Sequence, residues 1–61
     1  MAYWIVKKYN EETRDMVYVS EVDEDNQPIL TTEKANAFKF DNLKIPVILC
    51  LEQNYNIEKR N

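Results

Sequence analysis

Few side chains in this chain are able to do chemistry, since its 61 residues include no histidine, no glycine and one cysteine, Cys50. Without histidine, the chain lacks the usual proton shuttle at neutral pH and the normal base for a nucleophilic cysteine. Without glycine, a backbone loop does not readily cradle a phosphate. Cys50 lies inside the apolar run 45–51, and we interpret it as a buried small hydrophobe. We therefore predict that the protein is not an enzyme and has neither catalytic residues nor a cofactor.

The segment that starts at Asp23 resembles the opening of a calcium loop, because oxygen-bearing side chains alternate along it. The pattern fails further on. The sixth position requires glycine and holds Pro28, and the twelfth requires a bidentate glutamate and holds Lys34. We therefore predict no metal site.

The charge balance is acidic, with eight lysines and arginines against eleven acids and a net charge of −3. Nucleic-acid affinity depends on cations, so a nucleic-acid partner is not expected. The acids gather in a candidate acidic contact patch, defined by Glu21, Asp23, Glu24 and Asp25. This acidic patch suits contact with a basic surface on another protein. The alternative is that these charges solvate a turn.

The length points to one domain, residues 1–61, with a thin core. A chain of this size buries only about 60% of the surface that its unfolded form exposes. Small domains compensate with disulfides, a metal or association, and a single cysteine closes no bridge within the chain. Association therefore remains, and we expect a protein partner, either a second copy of the chain or another protein.

Two strands are predicted near the amino terminus, at residues 3–9 and 16–22, because aromatic and β-branched residues favour a pleated sheet. The polar residues between them indicate an antiparallel hairpin. Since glycine is absent, we expect Asn10 or Asp15 to adopt the unusual backbone angles of the loop.

The rest of the chain alternates between strand and helix signals. Residues 29–31 after Pro28 predict a short edge strand, Thr32 caps a helical turn through 37, and residues 38–40 predict a brief strand. Asp41 or Asn42 caps a helix that runs to about residue 55, and 56–60 is a frayed strand or a tail. The predicted fold is α+β, a small antiparallel sheet of three to four strands with one main C-terminal helix packed on one face.

The apolar run 45–51 is compatible with a helix or an edge strand, because periodicity alone does not assign short apolar runs. We favour the helix, since two capping residues precede it. Pro46 weakens that preference, because with a cap at Asp41 or Asn42 it falls at the fourth or fifth helical position and removes a backbone bond.

A helix at this position is apolar nearly all round, and one helix in a small domain cannot be covered on every side. Its sheet-facing stripe is predicted to contain Leu43, Val47, Cys50 and Leu51. Trp4 and Tyr18 are expected on the sheet face that the helix leaves open, since Trp and Tyr are favoured at interfaces. The candidate protein interface is Trp4, Tyr18, Ile45, Ile48 and Leu49. The alternative is that the terminal segment covers the helix flank.

The strands also suggest a single-stranded nucleic-acid binder, because such proteins stack bases on sheet aromatics. The relevant aromatic and basic side chains are Tyr3, Trp4, Lys7, Lys8, Tyr9 and Tyr18. Only two adjacent lysines support this alternative, so we rank it below protein interaction.

Three segments resemble the small uncharacterised proteins encoded in phages and prophages of Gram-positive bacteria: residues 3–7 at the start, 18–20 at the end of the hairpin, and 37–41 before the helix. Pro46 and the run 45–51 depart from the amphipathic helix of that group, which supplies no catalytic residues. The resemblance implies an accessory protein of the bacterial cytoplasm that blunts or redirects a host protein. Consistently, residues 1–8 lack a signal-peptide pattern, and the apolar run is too short to span a membrane.

Overall fold

A hairpin of two long strands opens the fold. The computed structural model describes residues 2–61, and its first strands are β1 (Tyr3–Asn10) and β2 (Asp15–Val22). They pair antiparallel, with Lys7 opposite Tyr18. The predicted hairpin is confirmed, and each predicted strand differs from the observed one by a single residue.

The hairpin loop is held by the Asn10 side chain, whose Oδ1 accepts hydrogen bonds from the amides of Glu12 and Thr13 at 3.0 and 3.3 Å. The left-handed backbone angles fall on Arg14, with φ of 61°. The expectation that Asn10 or Asp15 would adopt them is therefore wrong. Asn10 acts through its side chain instead, and the strand already resumes at Asp15.

Two shorter strands complete a four-stranded sheet in the order β3-β2-β1-β4. The strand β3 (Pro28–Thr31) lies at one edge, as predicted, and β4 (Asn56–Arg60) lies at the other. Residues 56–60, left open between strand and tail, form a strand that pairs antiparallel with β1 from Tyr3 to Lys7. The α+β fold with a small antiparallel sheet is confirmed.

The segment between β3 and the helix is irregular. It contains one 3-10 turn, Lys34–Asn36, which no side chain caps. Thr32 is thus not the predicted cap, and the neighbouring Thr31 hydroxyl accepts a bond from the Glu33 amide. The strand predicted at 38–40 is reduced to one antiparallel bridge between Trp4 and Phe40.

That bridge shows where the segment lies. The Phe38 amide donates to the Val19 carbonyl at 2.8 Å, while Phe40 exchanges two backbone hydrogen bonds with Trp4. The segment therefore bonds to both hairpin strands. A register shift between Val19 and Glu21 lies beside this contact.

The main helix is α1 (Lys44–Gln53), so the run 45–51 is helical and the edge-strand alternative is wrong. Asn42 contributes to its start, since its Oδ1 accepts from the Lys44 amide at 3.0 Å. The first helical bond joins the Val47 amide to the Leu43 carbonyl at 2.9 Å. Pro46 is thus the third helical residue, where an amide has no helical partner, and the proline removes no bond. The left-handed Asn54 ends the helix.

The core lies between α1 and one face of the sheet. Its buried cluster consists of Val6, Val19, Phe40, Leu49 and Tyr55. The helix contributes Leu49 and the buried Pro46, with Ile45 packed alongside. The predicted sheet-facing stripe is therefore wrong. Because the helix is apolar nearly all round, the spacing of its apolar residues does not indicate which side packs on the sheet.

Candidate functional site

The outer face of α1, which we define as Val47, Ile48 and Leu51 together with Leu43 just before the helix, leaves four large apolar side chains in contact with water. Their exposed fractions are 40, 41, 39 and 82%. Leu51 is the most exposed and lies on the side of the helix opposite the buried Leu49, as the 100° rotation per residue requires. Scattered exposed aliphatics are ordinary on protein surfaces, but a contiguous apolar patch on one helix normally marks a contact surface.

Charged residues flank this outer face. Lys44 and Glu52 are both exposed and lie four residues before and four residues after Ile48. On a helix, this spacing aligns the three side chains in one row with the aliphatic residue at the centre. The ion pairs among residues 2–61 include neither Lys44 nor Glu52.

The helix residues predicted to form the interface are divided between surface and core. Ile48 is exposed, in agreement with its predicted position. Leu49 is 1% exposed and belongs to the core cluster, so its assignment to an exposed flank is wrong. Ile45 is partly buried and packs against the same cluster. The free cysteine, Cys50, is also partly buried.

Trp4 and Tyr18 were expected together on the open face, but they lie on opposite faces of the sheet. Neighbouring residues of a strand point to opposite sides, so Trp4 shares the face of the buried Val6. It packs against the core cluster. Tyr18 is paired with Lys7 and therefore faces away from α1. The sheet face expected for Tyr18 is therefore confirmed and the face expected for Trp4 is wrong, while contact of Tyr18 with a partner stays a prediction.

The acidic patch is exposed at all four positions, Glu21, Asp23, Glu24 and Asp25. Asp23 also builds the turn, because its Oδ1 accepts hydrogen bonds from the amides of Asp25 and Gln27, both at 2.9 Å. The alternative interpretation, that these acids serve a turn, therefore has a structural basis at Asp23. Contact between this patch and a basic surface of a host protein stays a prediction.

The sheet face away from α1 carries a charge cluster centred on Glu58. Its carboxylate lies 2.6 Å from Lys7 Nζ, 2.7 Å from an Arg60 nitrogen and 3.6 Å from Lys34 Nζ. The hydrogen bonds from Lys7 and Arg60 lower the pKa of Glu58 to about 2. The same carboxylate raises the pKa of the Arg60 guanidinium.

On the helix side of the sheet, Lys8 closes the end of the core. Its ammonium donates to the Gln53 carbonyl at 3.2 Å and lies 5.1 Å from the centre of the Tyr55 ring. Burial raises the pKa of Tyr55. The side chains of Lys7 and Lys8 therefore lie on opposite faces of the sheet. They do not form the single basic strip that nucleic-acid binding on one sheet face would need.

A groove of about 350 Å³ opens on the sheet face away from α1. We call it the basic groove, and it is lined by Tyr3, Ile5, Lys34, Ala35, Ala37, Lys39 and Arg60. These residues are far apart in the sequence and come from β1, β4 and the irregular segment, so sequence patterns do not group them. The pairing of Tyr3 with Arg60 brings two of these residues together, and this pairing forms only if residues 56–60 are a strand.

No family model matches the chain, and neither a curated protein nor a solved structure matches it significantly. No helix among residues 2–61 is long and apolar enough to cross a membrane.

Proposed function

We propose that the protein is a non-enzymatic interaction module in which the outer face of α1 binds a second copy of the chain. The observation that carries this proposal is the exposure of four aliphatic side chains along one helix, with Leu51 82% exposed. Burying such side chains against a partner removes apolar area from water, which is worth about 25 cal/mol per Å². Because a chain of this size has a thin core, the free energy from burying these side chains in a dimer is large relative to the stability of the single chain.

The charges beside the outer face favour a second copy as the occupant. A two-fold axis through Ile48, perpendicular to α1, places Lys44 of one protomer opposite Glu52 of the other. The 1.5 Å rise per residue puts each of these pairs about 6 Å from the axis. Because a two-fold interface uses the same surface patch on both subunits, the row from Lys44 to Glu52 is complementary to itself in the antiparallel orientation.

The size of the surface limits the affinity. A helix of ten residues is about 15 Å long, so the contact is smaller than the roughly 800 Å² per partner of a standard interface. We therefore expect a weak dimer, with a dissociation constant on the order of 10–100 μM.

The biological setting is a further part of the proposal. The resemblance of three short segments to phage and prophage proteins supports an accessory protein of the bacterial cytoplasm. In that setting a bacterial host protein is the competing occupant of the outer face. If the chain stays monomeric and a host protein binds the outer face of α1, the function of that face is to bind the host protein.

Charge exchange tests the proposed register. Lys44→Glu and Glu52→Lys each place like charges opposite one another in a homodimer, so each variant alone should associate more weakly than the native chain. Mixed together, the two variants form opposite-charge pairs at both ends of the contact. NMR diffusion measurements should therefore show slower diffusion in the mixture than in either variant alone.

Lys59→Glu is the control for net charge, since Lys59 is exposed and belongs to β4 instead of α1. It should leave association close to that of the native chain. A mixture that diffuses as fast as the separate variants contradicts the antiparallel register, and equal weakening by Lys59→Glu would show a general charge effect.

A further inference from the structure

The basic groove combines an excess of positive charge with an apolar lining. Its cations are Lys34, Lys39 and Arg60, and the residues that line it include no carboxylate. Glu58 contacts two of these cations but also the ammonium of Lys7. The groove lining and the Glu58 cluster together thus contain four cations, Lys7, Lys34, Lys39 and Arg60, and one carboxylate, in a chain whose net charge is −3.

Neighbouring side chains hold Arg60 and Lys39 at the groove. The Arg60 guanidinium is held by its 2.7 Å contact with Glu58 and has further N–H donors, since a guanidinium carries five. The Lys39 ammonium lies 5.3 Å from the centre of the Tyr3 ring, within the range of a cation–π contact. No ion pair among the described residues involves Lys39, so its charge is available to an anion.

The remaining lining is suited to an organic group. Ile5 is 4% exposed and Ala37 is 8% exposed, so both form the floor of the groove, beside Ala35 and the Tyr3 ring. Small-molecule sites typically combine such apolar walls with a few placed polar groups, in volumes of about 300–1,000 Å³. At about 350 Å³, this groove is at the small end of that range.

We propose that the basic groove binds a small phosphate monoester with a planar organic group, of the nucleoside monophosphate class. In this complex the phosphate is contacted by Lys34, Lys39 and Arg60. The planar nucleobase lies against the Tyr3 ring and against Ala35 and Ala37. Charge-assisted hydrogen bonds supply the affinity for the phosphate, and aromatic stacking supplies the affinity for the base. The groove is on the sheet face away from α1, so this proposal is independent of self-association.

The test is a titration of the ¹⁵N-labelled full chain with AMP, with adenosine and inorganic phosphate as separate probes. AMP should shift the amide signals of Ala35, Ala37 and Lys39, and each partial probe should bind at least about tenfold more weakly. No shift at these residues with millimolar AMP overturns the proposal. Phosphate that binds as tightly as AMP overturns the part that concerns the organic group.

A matched pair of variants separates a site from general electrostatics. Lys39→Glu and Lys59→Glu change the net charge equally, but only Lys39 lines the groove. Lys39→Glu should weaken AMP binding by about tenfold or more, the usual effect of losing a charged hydrogen-bond partner, while Lys59→Glu should change it less than about twofold. Equal weakening by the two variants would overturn the proposal. Circular dichroism checks the fold of each, and Lys39→Gln replaces Lys39→Glu if that variant unfolds.

Discussion

Leu49→Ala is the substitution whose effect on the free energy of unfolding is most clearly set by the structure. Leu49 is 1% exposed and packs among Val6, Val19, Phe40 and Tyr55. Truncating a fully buried leucine removes its transfer free energy and leaves a cavity, which together cost about 2.7–5 kcal/mol. Domains have about 0.05–0.15 kcal/mol of stability per residue, or about 3–9 kcal/mol for this length. The variant should therefore lose a third or more of its stability.

Leu51→Ala is the matched control, because it makes the same chemical change two residues further along the same helix. Leu51 is 82% exposed, so the substitution should change the free energy of unfolding by less than about 0.5 kcal/mol. Urea denaturation of both variants at low micromolar concentration, below the dissociation constant expected for the proposed dimer, measures the two changes in the free energy of unfolding. A loss of stability in Leu51→Ala equal to or larger than that in Leu49→Ala would refute the orientation of α1.

Three further predictions concern the sheet and its turns. The pKa of Glu58 is held at about 2, below its ordinary 4.5, by Lys7 and Arg60, so the stability contributed by its ionised form is complete above about pH 4.5 and is lost as the pH falls toward 2. Glu58→Gln should flatten that part of a pH titration of the melting temperature, and an unchanged profile would contradict this role. Arg14→Asn should raise stability by about 0.5–1 kcal/mol in thermal melts, because asparagine tolerates the left-handed φ of 61° better than arginine does. A lower melting temperature would count against that account of the loop. Asp23→Ala should cost about 1 kcal/mol through the loss of two turn hydrogen bonds, whereas Glu24→Ala should be nearly neutral in the same melts. An equal loss of stability in the two variants would contradict the role of the Asp23 side chain in stabilising the turn.

The strands were predictable because their signals are local. Residues 3–9 and 16–22 are rich in aromatic and β-branched side chains, and Pro28 correctly indicates an edge strand. The terminal strand was not decided, because residues 56–60 contain only one large apolar side chain, Ile57. Its formation depends on the unpaired edge that β1 offers, which is a tertiary property.

The orientation of α1 was predicted incorrectly for a specific reason. Apolar residues occur on all sides of the helix, so their spacing is consistent with either side facing the sheet. The charged residues carried the missing information. Lys44 and Glu52 mark the outward side, which leaves Ile48 between them exposed and directs Pro46 and Leu49 toward the sheet.

The basic groove was beyond sequence reasoning, because Lys34, Lys39 and Arg60 are close only after folding. Pairing of Tyr3 with Arg60 brings one cation to the start of β1. The contact of Lys34 with Glu58 places the irregular segment over the same strands. The net charge of the chain does not indicate the groove, because a protein with a negative net charge can still have a basic surface region.

Sedimentation equilibrium over a range of concentrations tests the central proposal most directly. The chain has a mass of 7.3 kDa, and the weight-average mass should rise toward twice that value as the concentration increases. Leu51→Glu, at an exposed position, should keep its circular dichroism spectrum and remain at the mass of one chain. A native protein that stays at the mass of one chain up to millimolar concentration, or a Leu51→Glu variant that associates as strongly as the native chain, would contradict binding of a second copy by the outer face of α1.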